Sequence, residues 1–236
     1  MYIKFLVFIM IFLIPLNVNS VEQFNFDVTE IEITNDGNTF RGLKRGKITT
    51  NNGIIIDANN FTYDKPKNIL NAKGKVKIED TIQNYIIYAE DITYFRNEEK
   101  IITSDTTKAE ISSKYKITSK DVIFLRDKGI LKSKSKTKIT DHNSQIYFLD
   151  EFNYSINEGL LKGINILIIT NYQKPKSDKF YFSNAIINLN KKTFVAKNTE
   201  ITLHKDIFDR TENDPRVYGV SSKNEGDKTI INKGVF

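Results

Sequence analysis

The chain has no cysteine, no tryptophan and only 2 histidines among 236 residues. Absent cysteine removes disulfides, thiolate metal sites and cysteine nucleophiles together. His142 and His204 have no spacing that builds a metal site or a catalytic triad. G-x-x-x-x-G-K-[ST], G-x-S-x-G and G-x-G-x-x-G are also missing, so the usual phosphate, serine-nucleophile and dinucleotide signatures do not occur. No enzyme activity and no cofactor are expected. The net charge is +6, but its lysines are scattered and form neither a block nor an aromatic-interleaved motif, which argues against a nucleic-acid partner. A hydrophobic fraction of 39% is too high for a disordered chain.

The only long apolar run is at the start. Residues 1–20, MYIKFLVFIMIFLIPLNVNS, carry Lys4, an apolar stretch from Phe5 to Leu16, and small residues Val18 and Ser20. A bilayer span needs about 20 apolar residues, so this run fits a cleaved signal peptide better than an anchor. The expected mature protein is exported, and no Cys follows the apolar stretch as it would in a lipoprotein.

The rest of the chain alternates. In IIIDANNFTY, Ile54, Ile56 and Ala58 sit at every second position, Asn59-Asn60 interrupts, and Phe61 and Tyr63 resume. This is a half-buried strand with a bulge or corner in its middle. The Ile56 register recurs as Phe26, Ile56, Ile87, Ile117, Tyr147 and Phe180. The Phe61 register reads Ile31, Phe61, Ile92, Val122, Phe152 and Ala185, and the Tyr63 register Ile33, Tyr63, Tyr94, Phe124, Tyr154 and Ile187. Six copies at steps near 30 residues predict stacked units. Each carries a polar pair before the Phe61 register, from Thr29-Glu30 to Ser183-Asn184. Because neutral and basic pairs stand beside acidic ones such as Glu90-Asp91 and Asp150-Glu151, a solvated corner explains them better than acid/base or calcium chemistry.

A second strand follows each first one, anchored at Phe40, Leu70, Ile101, Leu131, Leu161 and Phe194, with a small residue two places on: Gly42, Ala72, Thr103, Ser133, Gly163 and Ala196. Small inward residues leave room inside, or else allow tight packing. Clusters such as Asn35-Asp36-Gly37-Asn38 and Asp64-Lys65-Pro66-Lys67-Asn68 separate the strands. The expected fold is all-β, about twelve antiparallel strands in six repeats. First strands are expected to pair in one sheet and second strands in another, six per sheet, in a body roughly 25–30 Å long.

With Gly74-Lys75-Val76-Lys77-Ile78 and Tyr88-Ala89-Glu90-Asp91-Ile92-Thr93-Tyr94, the chain resembles the OstA-like domain of lipopolysaccharide transport proteins over about residues 24–203. Asn213-Asp214-Pro215-Arg216, Gly219-Val220-Ser221-Ser222 and Asn232-Lys233-Gly234-Val235-Phe236 look like the linker by which the LptD members of that family pass into an outer-membrane barrel. The absence of cysteine departs from the disulfide pattern of those members. The resemblance implies a β-jelly roll or V-shaped β-taco holding lipopolysaccharide acyl chains, with residues 1–20 a signal peptide, 21–204 the domain and 205–236 the linker. It implies a non-enzymatic conduit in the periplasm, associated with the outer membrane. Lipopolysaccharide would be received from an LptA-like bridge and passed to an LptD barrel with its LptE-like lipoprotein, both outside this chain.

The expected lipid-facing residues are those of the three rows without Ala185 and Ile187, together with Ile54, Ala58 and Phe182. An edge formed by Phe24, Phe26, Val28, Ile31 and Ile33 would accept the bridge by strand addition. A free LptA-like bridge, a ligand-free structural β-solenoid, and, less well supported, a polysaccharide-binding or lyase β-helix remain the alternatives.

Overall fold

The computed structural model describes residues 24–208 and 215–236; the expected signal peptide lies outside them. The strands are β1 (Asn25–Val28), β2 (Ile31–Thr34), β3 (Thr39–Gly42), β4 (Gly46–Thr49), β5 (Ile54–Ala58), β6 (Asn60–Asp64) and β7 (Ile69–Asp80). They continue as β8 (Tyr85–Phe95), β9 (Lys100–Ser104), β10 (Thr106–Ile111), β11 (Tyr115–Lys120), β12 (Ile123–Leu125), β13 (Ile130–Ser133) and β14 (Thr137–Asp141). The last are β15 (Ile146–Leu149), β16 (Glu151–Ser155), β17 (Leu160–Ile169), β18 (Lys179–Asn188), β19 (Thr193–Thr202), β20 (Arg216–Glu225) and β21 (Lys228–Asn232). All registered pairings are antiparallel, and two short 3₁₀ turns are the only helical elements among the described residues.

Most of the short strands are halves of longer ones, broken at a corner. The corners divide the sheet into two arms. The first arm holds β1, β4, β5, β10, β11, β14 and β15, and the second β2, β3, β6, β9, β12, β13 and β16. The long strands β7, β8 and β17 to β20 run through both.

The expected pairing is corrected here. First strands do not pair with first strands: β5 pairs with β4 and β7, and β6 with β3 and β7. Side-chain parity is the same in either arrangement, so alternation could not distinguish them. The turn clusters decide, because a short turn joins antiparallel neighbours. With thirteen through-strands spaced at about 4.8 Å, each arm is roughly 55–60 Å along its hydrogen-bonding direction, twice the expected length.

Within the segment expected to be a linker, residues 216–232 form two strands that extend the sheet. β20 adds to β19 over eight registered pairs, Phe194↔Asn224 to Thr202↔Arg216, and β21 adds to β20. Several inward positions along β20, such as Gly219 and Ser222, are small or polar, so the period-two signal there is weak.

The corners have a local cause. Lys75, Asp105, Asn165 and Asn198 all adopt left-handed backbone, with φ between 48° and 61°, a region in which Asn and Asp are several-fold enriched. Each lies on a second strand and faces a polar residue on the neighbouring first strand. Asp105 N donates to Asp121 Oδ1 at 2.9 Å, Asn165 Nδ2 to Asp150 Oδ2 at 2.8 Å, and Asn198 Nδ2 to Ser183 Oγ at 3.1 Å. Asn59 N bonds to both Lys73 O and Gly74 O where the β7 register shifts.

At the corner the inward row alternates large and small across consecutive strands. Ile31, Gly42, Phe61, Ala72, Ile92 and Thr103 are successive neighbours, and Ser133, Phe152 and Gly163 repeat the pattern before Ala185 and Ala196 end it in a run of small residues. A Cβ on Gly163 would stand 2.5 Å from Leu149 Cδ2. The small row is therefore a tight-packing device. Buried hydroxyls pair along the same apex: Thr103 with Thr107 at 2.6 Å, Ser119 with Thr137 at 2.7 Å and Thr199 with Ser222 at 2.6 Å, so their burial leaves no polar atom unsatisfied.

Gly163→Ile is expected to destabilise the fold by about 1–3 kcal/mol through overpacking, read as a lower urea midpoint at unchanged slope; an unchanged midpoint would refute the tight apex.

Candidate functional site

The candidate site is the cleft between the arms. In the first arm Phe26, Ile48, Ile56, Ile78, Ile87, Ala109, Ile117, Ile139 and Tyr147 are successive cross-strand neighbours, followed by Ile168, Phe180 and Ile201. In the second arm the row runs Ile33, Phe40, Tyr63, Leu70, Tyr94, Ile101, Phe124, Leu131, Tyr154, Leu161, Ile187 and Phe194. Both rows point inward and join one apolar cluster.

Ile54, Ile56, Ala58, Phe61, Tyr63, Ile87, Ile92 and Tyr94 are all buried there, as are Ile117, Val122, Phe124, Tyr147, Phe152, Tyr154 and Phe182. Phe26 and Phe180 are half-buried and pack against the cluster. Ile31 and Ile33 differ. They are 40% and 55% exposed although their register faces inward, because among the described residues β2 is the last strand on its side and no further strand extends the row. Of the edge residues, Val28 is half-buried and packs on the cluster. Phe24 is buried, with its ring 5.0 Å from Tyr63 and 5.7 Å from Tyr94, so its side chain belongs to the interior.

The arms touch across the cleft. Tyr85 of the first arm meets Phe124 of the second edge-to-face at 4.5 Å between ring centroids, and Tyr115 meets Tyr154 at 6.3 Å. Aromatic pairs in this geometry contribute about 0.5–1.5 kcal/mol beyond their burial. Burial pushes the Tyr154 phenol up to about 12 and raises Tyr85 and Tyr147 further, so all three rings are neutral in the cleft.

The mouth opposite the apex is closed by polar groups that alternation did not reveal. Arg126, in a turn of the second arm, reaches Asp80 of the first: Nε to Oδ2 is 2.6 Å, Nη2 to the Asn52 carbonyl 2.5 Å, and Nη1 to Glu99 Oε2 3.0 Å. Gln83 Nε2 donates back to the Arg126 carbonyl at 3.1 Å, and Tyr94 O–H to Glu99 at 3.0 Å. Arg96 pairs with the same Glu99. Further along, Tyr115 O–H donates to the Leu189 carbonyl at 3.1 Å. The side chains of Asp80 and Arg126 are 0% and 9% exposed. Burial acts to raise the Asp80 carboxyl, but the Arg126 hydrogen bond and the Gln83 N–H outweigh it and hold Asp80 below its ordinary value. Arg126 is a charged residue at the end of the apolar run Val122–Leu125 and Asp80 closes an alternating strand beside Glu79, so a turn reading absorbs both.

His204 Nδ1 lies 2.8 Å from Asp178 Oδ1, and His142 is exposed. Among the described residues no group of three or more His, Asp or Glu could hold a metal ion, and no helix is long and apolar enough to cross a membrane.

Removing one partner of a buried pair typically costs about 3–5 kcal/mol because the other charge is stranded. Arg126→Met is expected to cost that much in urea unfolding, whereas adding Asp80→Asn to it recovers part of the loss; purely additive effects would refute the coupling. Because the folded Asp80 carboxyl is held below its ordinary 3.8, its contribution is full above that value and is lost as pH falls through the folded one. The stability gap between the parent and Asp80→Asn is therefore expected to be widest near neutrality and to narrow below about pH 4; a gap that widens in acid would overturn this assignment.

No protein-family model and no curated protein matches this chain.

Proposed function

We propose that the protein is a non-enzymatic carrier of lipopolysaccharide by its acyl chains, built as an OstA-like β-jelly roll of six repeats and working in the periplasm beside the outer membrane. One observation carries the reading: inward apolar rows run without a break from strand to strand along the whole cleft. A lining of near-equivalent Ile, Leu, Phe and Tyr positions gives a multi-acyl lipid comparable burial at successive rungs, at about 25 cal/mol per Å². No disulfide ties the arms together, so admission of lipid requires only parting side-chain contacts at the mouth. Among the described residues β1 and β2 each have one hydrogen-bonded neighbour, which suits them to accept a strand from an LptA-like bridge. Delivery onward would be to an LptD barrel and its LptE-like lipoprotein.

A second reading is a structural β body whose core is filled by itself. The Tyr85–Phe124 contact and the Arg126 closure favour it, because both occupy space that lipid would need.

Photo-crosslinking amino acids at Ile56, Ile87 or Tyr147 are expected to capture lipopolysaccharide during transport, and those at outward Thr62 or Thr93 are not. Capture at none of the three inward positions, with the variants folded, would leave the filled body as the correct reading.

A further inference from the structure

The outer face of the second arm, pointing away from the cleft, carries a separate concavity of about 960 Å³ between β12 and β19. That volume falls within the roughly 300–1,000 Å³ of small-molecule sites. Its floor is apolar where parity calls for polar residues. Ile186 stands directly opposite Val195, and Ile164 lies on the adjoining row of the same face. These three are 38–63% exposed. The same strands turn Leu161 and Ile187 inward, so the floor is no part of the core. The rim is cationic. Lys132 and Lys162 flank Asn153 along one row, Lys197 stands opposite Asn184 on the next, and Lys134 closes the corner end. None of the four belongs to an ion pair among the described residues. Two carboxylates line the site: Glu151, and Asp121, whose Oδ1 already accepts from the Asp105 N–H.

We infer that this groove binds a single anionic amphiphile, its acyl chain on Ile164, Ile186 and Val195 and its phosphate-type head against the unpaired lysines. Charge complementarity selects the head. A flat membrane surface does not fit a concavity. An acidic peptide is poorly served, because every strand flooring the groove is paired on both sides and offers no free backbone edge. The site is on the opposite face of the sheet from the cleft and stands whether or not the cleft carries lipid.

The test uses the folded chain with isoleucine methyl labels, titrated with dodecyl phosphate below its critical micelle concentration. Saturable shifts are expected at Ile164 and Ile186 and not at inward Ile56 and Ile87. Dodecyl maltoside, with an uncharged head, and inorganic phosphate, with no chain, are each expected to bind at least about tenfold more weakly. So is dodecyl phosphate to the double variant Lys162→Gln, Lys197→Gln, or to Ile186→Ser. These side chains are on the outer surface, so circular dichroism should match the parent. Shifts confined to Ile56 and Ile87 would assign the amphiphile to the cleft. Unchanged affinity in both variants, no saturation, or tighter binding of a glutamate-rich peptide would each overturn the outer site.

Discussion

Two arms of one sheet can meet only if the backbone is allowed to turn sharply without opening a hole behind the turn, and the large–small alternation along the apex supplies that allowance. Phe61 lies between Gly42 and Ala72, and Phe152 between Ser133 and Gly163. Each bulky side chain uses the space its neighbours leave. Without that space the arms would splay, and the inward rows above the apex would lose their contact across the cleft. Close packing at the hinge therefore decides whether the rest of the core can form.

Polar groups are placed where this geometry strains the hydrogen-bond ladder. At the apex, left-handed residues bend the strands, and the Asp121 carboxylate on the next strand accepts from the Asp105 N–H. At the mouth, Arg126 gathers Asp80, Glu99 and the Asn52 carbonyl. Desolvating such a pair costs much of what its attraction returns, so the closure contributes more to specifying which turns meet than to net stability. Carboxylates such as Asp121 and Asp150 thus have structural partners in the corner.

The apolar rows were legible because a two-residue period and a step near 30 residues are both properties of side-chain order alone. Phe26, Ile56 and Ile87 could be aligned without knowing what lies beside them. Alternation alone did not show which strands pair, since moving a partner by one whole strand leaves every side chain on its face; that information lay in the short turn clusters. Asn165 and Asn198 carried a corner signal, but within apolar phrases. The Arg126 closure spans 46 residues to Asp80 and answers to no local pattern. Ile164, Ile186 and Val195 were visible as apolar residues out of phase, although their meeting on one outer row needed the register. β20 escaped notice because Gly219, Ser221 and Ser222 blur its alternation.

The meander also makes body length an adjustable quantity. Each through-strand, its two halves taken together, bonds only to the through-strands before and after it in sequence, and reversal of direction at every turn restores the starting orientation after two of them. A two-strand segment can be gained or lost from such a chain with every remaining side chain still on its original face, while a single strand cannot. Length along the hydrogen-bonding axis is then quantised in steps of about 10 Å, and the body can change by that step without redesigning the core.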